Sequence, residues 1–351
     1  MAETDDAAAG ATADEGRLSE QLDRIRTARK RRAVGGVALL ALLGILFVQS
    51  LSAAGTLSTQ YTSGFFLESL RDFFPLTTYF GFLPFIDFGQ YLDYIGQRNL
   101  LFASDISLLW TDPVQLASEV SALIADEGIF SVFGVAGITL AMGFAGTILG
   151  FPLALLFGVI GSERVTPFPF NFIFRGTMSA IRAIPALVWI LIYIPLAGLT
   201  PVSAVLAIAT DTVGNLGRLF TDELEEIEDG PIEAMKTTGA DRPQTVTFGM
   251  LSQVTTPYIA WTLYIFEINV RIAVSLGVYG AGGLGQVVET QVGLFQFTNA
   301  MATLLCIFLL IISVELLSQR VRARLRADTE AMSIKELILG FPERFAESLM
   351  K

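Results

Sequence analysis

A chain of 351 residues with 52% hydrophobic and 16% charged residues, at a mean hydropathy of +0.58, is too apolar for an ordinary soluble domain and reads as a multi-span membrane protein. The absence of histidine excludes histidine bases, histidine triads and His-ligated zinc or haem, and the single cysteine, Cys306, excludes an intrachain disulfide framework or thiolate cluster. With a net charge of −11, the expected surroundings are lipid and protein rather than nucleic acid, and no metal or cofactor is expected.

Residues 1–20 hold little that can be buried and are expected to lack regular structure. Arg24, Arg26, Arg29, Lys30, Arg31 and Arg32 then precede the apolar run 33–48, the pattern of a cytoplasmic anchor on a first spanning helix. A cleaved signal peptide is the rival, given Ser52-Ala53-Ala54, but the run begins about 30 residues in, late for such a peptide. From 55 to 128 charge and proline interrupt every apolar window. The aromatic part, Phe65, Phe66, Phe73, Phe74, Phe80, Phe82, Phe85 and Phe88, suits an extracytoplasmic region resting at headgroup level.

Four further apolar stretches follow. Residues 129–161 would make one tilted helix of roughly 48 Å, eased at Pro152. After the turn 162–169, a helix is expected to about Ala197 with a kink at Pro185, and Gly198-Leu199-Thr200-Pro201 supplies a stop, an N-cap and a first-turn proline for the next helix, to about Phe220. A fifth helix is expected over about 252–277 and a sixth over about 299–318. Six spans with both termini inside put 20 of the 23 Lys and Arg on the cytoplasmic side.

Between the fourth and fifth helices lies a polar island, Gly230 to Pro243. It reads as a short docked helix, with Pro231 in the first turn, Glu233 at the positive end of the dipole and Gly239 as a left-handed stop. Within the spans, Glu267 and Arg271 share a helical face with Asn269 between them, and Asp211 lies beside Thr210, Thr212 and Asn215. Charges at that depth cost roughly 2.5–3.5 kcal/mol each, so they pair or line a wet path. Glu267–Arg271 and Asp211–Arg271 are the expected pairs. The acidic run 222–229 reads as a solvated helix face rather than a cation site. Gly280, Gly282 and Gly285 spell G-x-G-x-x-G, but after a membrane helix rather than a strand, so dinucleotide binding is rejected. No G-x-x-x-x-G-K-[ST], G-x-S-x-G or H-E-x-x-H occurs.

Glu233-Ala234-Met235 followed three residues later by Gly239 resembles the Glu-Ala-Ala loop of permease subunits of ATP-driven importers. Together with Gly230-Pro231-Ile232, Thr238-Gly239-Ala240, Phe266-Glu267-Ile268-Asn269-Val270-Arg271, Gly280-Ala281-Gly282-Gly283-Leu284-Gly285 and, upstream, Arg182-Ala183-Ile184-Pro185, it resembles the phosphonate-transporter permease family over roughly residues 129–322. The resemblance implies an all-α, six-helix integral membrane protein with the type I ABC importer permease fold. It would comprise a cytoplasmic tail (1–32), a first span (33–54), an extracytoplasmic region (55–128), a five-helix core (129–320) with a cytoplasmic loop at 222–251, and a C-terminal tail (321–351).

It also implies a plasma-membrane transport subunit without its own ATPase site, carrying phosphonate, phosphite or phosphate. The implied partners are cytoplasmic ABC ATPases, an external solute-binding protein and a second permease subunit, as a homodimer. The ATPase-coupling residues would be Pro231, Ile232, Glu233, Ala234, Met235, Lys236, Gly239 and Asp241. The path or gate would involve Asp211, Glu267, Asn269, Arg271, Gly280, Gly282, Gly283 and Gly285. An importer of the same architecture for another solute, an ion-driven secondary transporter and a membrane enzyme are the alternatives. Three departures from the family pattern stand out: Met235 replaces an alanine, Gly249 a larger apolar residue and Ser252 a proline, which displaces the expected helix break toward Pro257.

Overall fold

The computed structural model describes residues 3–57, 63–79 and 83–325. The chain divides into two units, Met1–Phe66 and Leu67–Lys351. In the first, helix α1 covers Glu3–Ala53, and its segment Arg29–Ala53 is long and apolar enough to cross a membrane. Leu40, Ile45 and Phe47 on that segment are exposed, as on a helix whose solvent is lipid. Residues 3–20 continue this helix, against the expectation of irregular chain. The cause is local: the stretch is rich in alanine, and lengthening an existing helix needs no new nucleus.

Helix α2 (Ser63–Phe73) contains the division between the units and is followed by an antiparallel hairpin, β1 (Leu76–Tyr79) and β2 (Leu83–Ile86), with Leu76 opposite Ile86. This hairpin is the departure from all-α architecture among the described residues. Helices α3 (Phe88–Gln97), α4 (Leu108–Thr111) and α5 (Pro113–Glu127) follow, and none is long and apolar enough to span. Asp87 caps α3 by accepting from the Gly89 N–H, and Asp112 caps α5 by accepting from the Gln115 N–H. Phe80 and Phe82 lie outside the described residues.

The expected helix 129–161 is a 3₁₀ turn, Ile129–Phe133, joined at Gly134 to α6 (Gly134–Gly161). Gly134 has φ +53°, and a Cβ there would lie 2.0 Å from the Asn99 carbonyl oxygen. That closeness has a use. The first-turn N–H groups of Val135 and Ala136 donate to the carbonyls of Asn99 and Leu100, at 3.0 and 2.9 Å. The loop after α3 therefore satisfies donors that a helix start leaves unpaired.

The kink expected at Pro185 is a full break. Helices α7 (Phe170–Arg182) and α8 (Ala186–Ala197) meet at 90°, with Pro185 extended at φ −60°, ψ 149°. Proline offers no N–H to the helical ladder, so the chain reorients there. Helix α9 (Pro201–Glu225) starts at its proline as expected, although the Thr200 hydroxyl donates back to Ala197 O instead of capping. Then come α10 (Asp229–Thr237), α11 (Arg242–Gln244), a π-helical stretch Thr245–Met250, α12 (Leu251–Leu276), a wide turn Gly277–Ala281, α13 (Gly283–Gly293) and α14 (Phe297–Leu325). Helix α13 has no counterpart in the sequence reading. The expected tail beyond residue 325 lies outside the described residues.

Among the described residues, four segments are long and apolar enough to cross a membrane, or five if α7 and α8 form one broken span. Six were expected. Helix α9 is the difference, because its 25 residues include Asp211, Asn215, Arg218 and Asp222. It tolerates polarity because protein surrounds much of it. Gly146, Gly150, Ala154 and Gly158, four apart along α6, form a small-residue stripe against α9: a Cβ on Gly150 would lie 2.6 Å from Ala209 O, and one on Gly158 2.7 Å from Phe220 Cβ. In lipid, helices gain little from hydrophobic transfer, so such backbone approach and its dispersion contacts hold them together. Phe220 and Tyr258 stack at 4.0 Å between α9 and α12, with the Tyr258 hydroxyl donating to Phe220 O at 2.8 Å.

Candidate functional site

The polar island forms α10 and α11. Gly239 takes φ +81°, with its N–H on Lys236 O and that of Ala240 on Met235 O, so the left-handed stop is present. Asp241, expected as a partner contact, makes a capping box with Gln244: its carboxylate accepts the Gln244 N–H at 2.8 Å, while Gln244 Oε1 accepts the Asp241 N–H at 3.0 Å. Pro231, Glu233, Ala234, Lys236 and Gly239 are exposed.

Ile232 is not. At 5% exposure it packs in a cluster with Leu224, Ile227, Met250 and Val254, so this residue faces the bundle and not a partner. Met235 is half-buried and leans over Gly249, where a Cβ would stand 3.3 Å from Met235 Cγ. Two of the departures from the family pattern are thus one feature, the larger side chain at 235 occupying volume left free at 249.

Arginines strap this region to the turn 162–169. Arg164 pairs with Asp229 at 2.6 Å and donates to Glu225 O at 2.9 Å, Arg175 pairs with Glu225 and donates to Gly161 O, and Arg242 donates to Val165 O at 3.1 Å. The Asp229 side chain is 73% exposed, so its pair with Arg164 is worth at most about 1 kcal/mol. Burial of Ile232 is the stronger tether. The acidic run is a set of partners: Asp222 pairs with Arg218, Glu223 accepts from Trp261 Nε1, and Glu225 and Asp229 hold the straps. Sequence reasoning missed Arg164, Arg175 and Arg242, whose partners Asp229, Glu225 and Val165 lie 50 to 77 residues away.

A polar layer crosses the bundle. Asn269 Nδ2 donates to Thr147 Oγ1 on α6 and Thr212 Oγ1 on α9, both at 2.8 Å. Each threonine hydroxyl donates to its own helix, to Gly143 O and Ile208 O, so only its lone pairs remain for the amide. That fixes the orientation of Asn269 and leaves its Oδ1 buried without a partner among the described residues. On α9, Asp211, Asn215, Arg218 and Asp222 follow at spacings of four, three and four, which puts them on one face. Asn215 Nδ2 donates to Asp211 Oδ2 at 2.9 Å, and its Oδ1 accepts from Arg182 Nε at 3.2 Å. A cavity of about 350 Å³ is bordered by these residues and Asn269.

Glu267 and Arg271 turn to the other side of α12, two residues from Asn269 and therefore about 200° round the helix. They pair at 2.6 Å as expected, but the expected Asp211–Arg271 pair is absent. Arg271 reaches Glu315 at 3.4 Å, and Glu267 meets Arg322 at 3.6 Å, so the charges are neutralised between α12 and α14. At the far end of α12, Gly280 and Gly282 have φ +94° and +104°, which lets the chain double back into α13. There the Leu284 N–H donates to Thr139 Oγ1 at 2.9 Å, and the backbone approaches so closely that a Cβ on Gly285 would lie 2.0 Å from Val274 O.

A helical membrane bundle crossed by a polar layer, with an exposed polar helix tied to it between α9 and α12, has the build of a transport-type membrane subunit. Residues 146–327 match the family described as binding-protein-dependent transport system inner membrane component, and the chain belongs to that family. It is 36% identical over 193 residues to HtxC of Stutzerimonas stutzeri, provisionally named a phosphite transport system permease protein, covering 53% of this chain and 67% of that one. It is 31% identical over 195 residues to a phosphate-import permease protein of Mycolicibacterium smegmatis, covering 55% of this chain and 37% of that one. Among solved structures, the inward-facing MetNI methionine ABC transporter aligns over 54% of this chain and 94% of its own at 21% identity, with a TM-score of 0.49.

Proposed function

We propose that the chain is the membrane permease of an ATP-driven importer and forms the path for a phosphonate, phosphite or phosphate delivered by an external solute-binding protein. The observation that carries this reading is α10, a polar helix exposed outside an apolar bundle yet tied to it by Ile232. A cytoplasmic ATPase seated on Pro231, Glu233, Ala234, Lys236 and Gly239 would move the bundle through that tether, with Met235 at the rim. The chain has no phosphate cradle of its own, so the partner brings the ATP. The concentration of Lys and Arg supports a cytoplasmic side for α10 and both termini.

Asp211 and Asn269 border the proposed path, shared with a second copy of the chain. The turn Gly280–Gly285 shapes its outer mouth, and Glu267 and Arg271 act as a brace between α12 and α14. The substrate class rests on the names of the relatives and on the family resemblance, and an importer of the same build for another small solute is the second reading. The test is the double variant Glu233→Ala with Gly239→Val, read by co-purification of the ATPase and by ATP-dependent uptake of phosphite. Loss of either supports the assignment of α10, while parental values for both refute it. Uptake that persists after ATP depletion, with the ion gradient held, would point instead to a secondary transporter.

A further inference from the structure

The break between α7 and α8 leaves an arginine where a membrane bundle has no use for one. Arg182 is the last residue of α7, at the 90° elbow where α7 meets α8, and its side chain is exposed. Its Nε donates to Asn215 Oδ1, and the Asp211 carboxylate lies within electrostatic reach without closing an ion pair among the described residues. Arg218, by contrast, is committed to Asp222 through bonds of 3.0 and 3.1 Å. A guanidinium left open to hydrocarbon costs roughly 2.5–3.5 kcal/mol. The face of α9 that carries Asp211, Asn215, Arg218 and Asp222 therefore turns to water or protein, and Arg182, whose one hydrogen bond among the described residues is through Nε, borders the same cavity. An acceptor borders the same cavity: the Asp211 carboxylate, whose Oδ2 takes the Asn215 amide.

We propose that the cavity at Arg182, Asp211, Asn215 and Asn269 is a resting site for a tetrahedral phosphorus oxyanion that still carries one P–OH. The guanidinium fork binds its ionised oxygens, and the Asp211 carboxylate accepts its hydroxyl proton as a hydrogen bond. A volume of about 350 Å³ holds such an ion with several waters. The pairing of a donor fork with a carboxylate acceptor selects. Monoanionic phosphite or methylphosphonate has both acceptor oxygens and one donor. Sulfate has acceptors only and would place an oxygen lone pair against the carboxylate, with no hydrogen between them. The site rests on the proposed function, and it adds a residue and a selection rule that the coupling helix does not require.

The experiment uses the assembled transporter, with its ATPase and solute-binding protein, in proteoliposomes supplied with radiolabelled phosphite or methylphosphonate. A parent that imports neither overturns the proposed function itself. Given import by the parent, Arg182→Gln should lower uptake about tenfold, the loss of roughly one charged hydrogen bond, and Arg182→Lys should restore part of it. Uptake by an assembled Arg182→Gln transporter within about twofold of the parent overturns the site alone. Equilibrium dialysis of the solubilised permease–ATPase complex, without binding protein, gives a second arm, and it decides if Arg182→Gln fails to assemble. Phosphite should bind about tenfold or more tighter than sulfate, and Asp211→Asn should erase the difference. Equal binding by the parent, or a preference that survives Asp211→Asn, overturns the selection.

Discussion

Replacing Ile232 by alanine tests how α10 is held. The side chain is 5% exposed among Leu224, Ile227, Met250 and Val254, so truncation removes apolar contact and leaves a void. Buried Ile→Ala changes cost about 2–5 kcal/mol, and α10 is a nine-residue helix at the end of the bundle that can settle inward, so the lower part of that range, about 2–3 kcal/mol, applies. The Arg164–Asp229 pair cannot make good the loss, being worth at most about 1 kcal/mol. Hydrogen exchange of the purified protein in nanodiscs reads the effect locally. At tenfold per 1.4 kcal/mol, amides 232–238 should exchange about 30- to 150-fold faster, while those of α14 keep the parental rate. Exchange at 232–238 within about threefold of the parent would refute the claim that Ile232 is the tether.

Other outcomes follow from the same packing. Gly249→Leu should lower the thermal midpoint in detergent because its side chain meets Met235, and Met235→Ala in the same chain should recover much of the loss, with a coupling of about 0.5–3 kcal/mol in a double-mutant cycle. Gly150→Val should abolish monodisperse protein by forcing α6 from the α9 backbone, whereas Gly176→Ala, with nothing within 4 Å of the new methyl, should purify as the parent does. On α3, burial first and the charge of Asp87 second push the Tyr91 phenol above its ordinary value of 10.0. Stability from that group is complete below the unfolded value and is lost as the pH rises through the higher folded one. Tyr91→Phe should therefore remove a decline in thermal midpoint above about pH 10, and cost about 1 kcal/mol at neutral pH through the lost bond to Phe73 O.

Much of the architecture was legible because each signal was local. The first span is a long apolar run behind a basic cluster, Pro201 opens a helix where a first-turn proline fits, and Gly239 ends one where φ must be positive. The 90° elbow at Pro185 was read only as a kink, because a proline announces a missing hydrogen bond but not how far the chain then turns. Ile232 was read outward for a similar reason. An apolar residue on a short polar helix has the same pattern whether its neighbour is the bundle or a partner.

The sequence by itself determined what depends on neighbours within about one helical turn: apolar length, caps, stops, the Glu267–Arg271 pair at a spacing of four, and the absence of histidine chemistry. Only the tertiary structure decided which way the charges face. It set Arg271 against Glu315, gave Asn269 to Thr147 and Thr212 from helices 122 and 57 residues away, and left Arg182 open beside Asn215. The physical reason is that in lipid a buried polar group is satisfied by whichever helix packs beside it. That choice is made by small-residue contacts such as Gly150 against Ala209, which no short window of sequence contains.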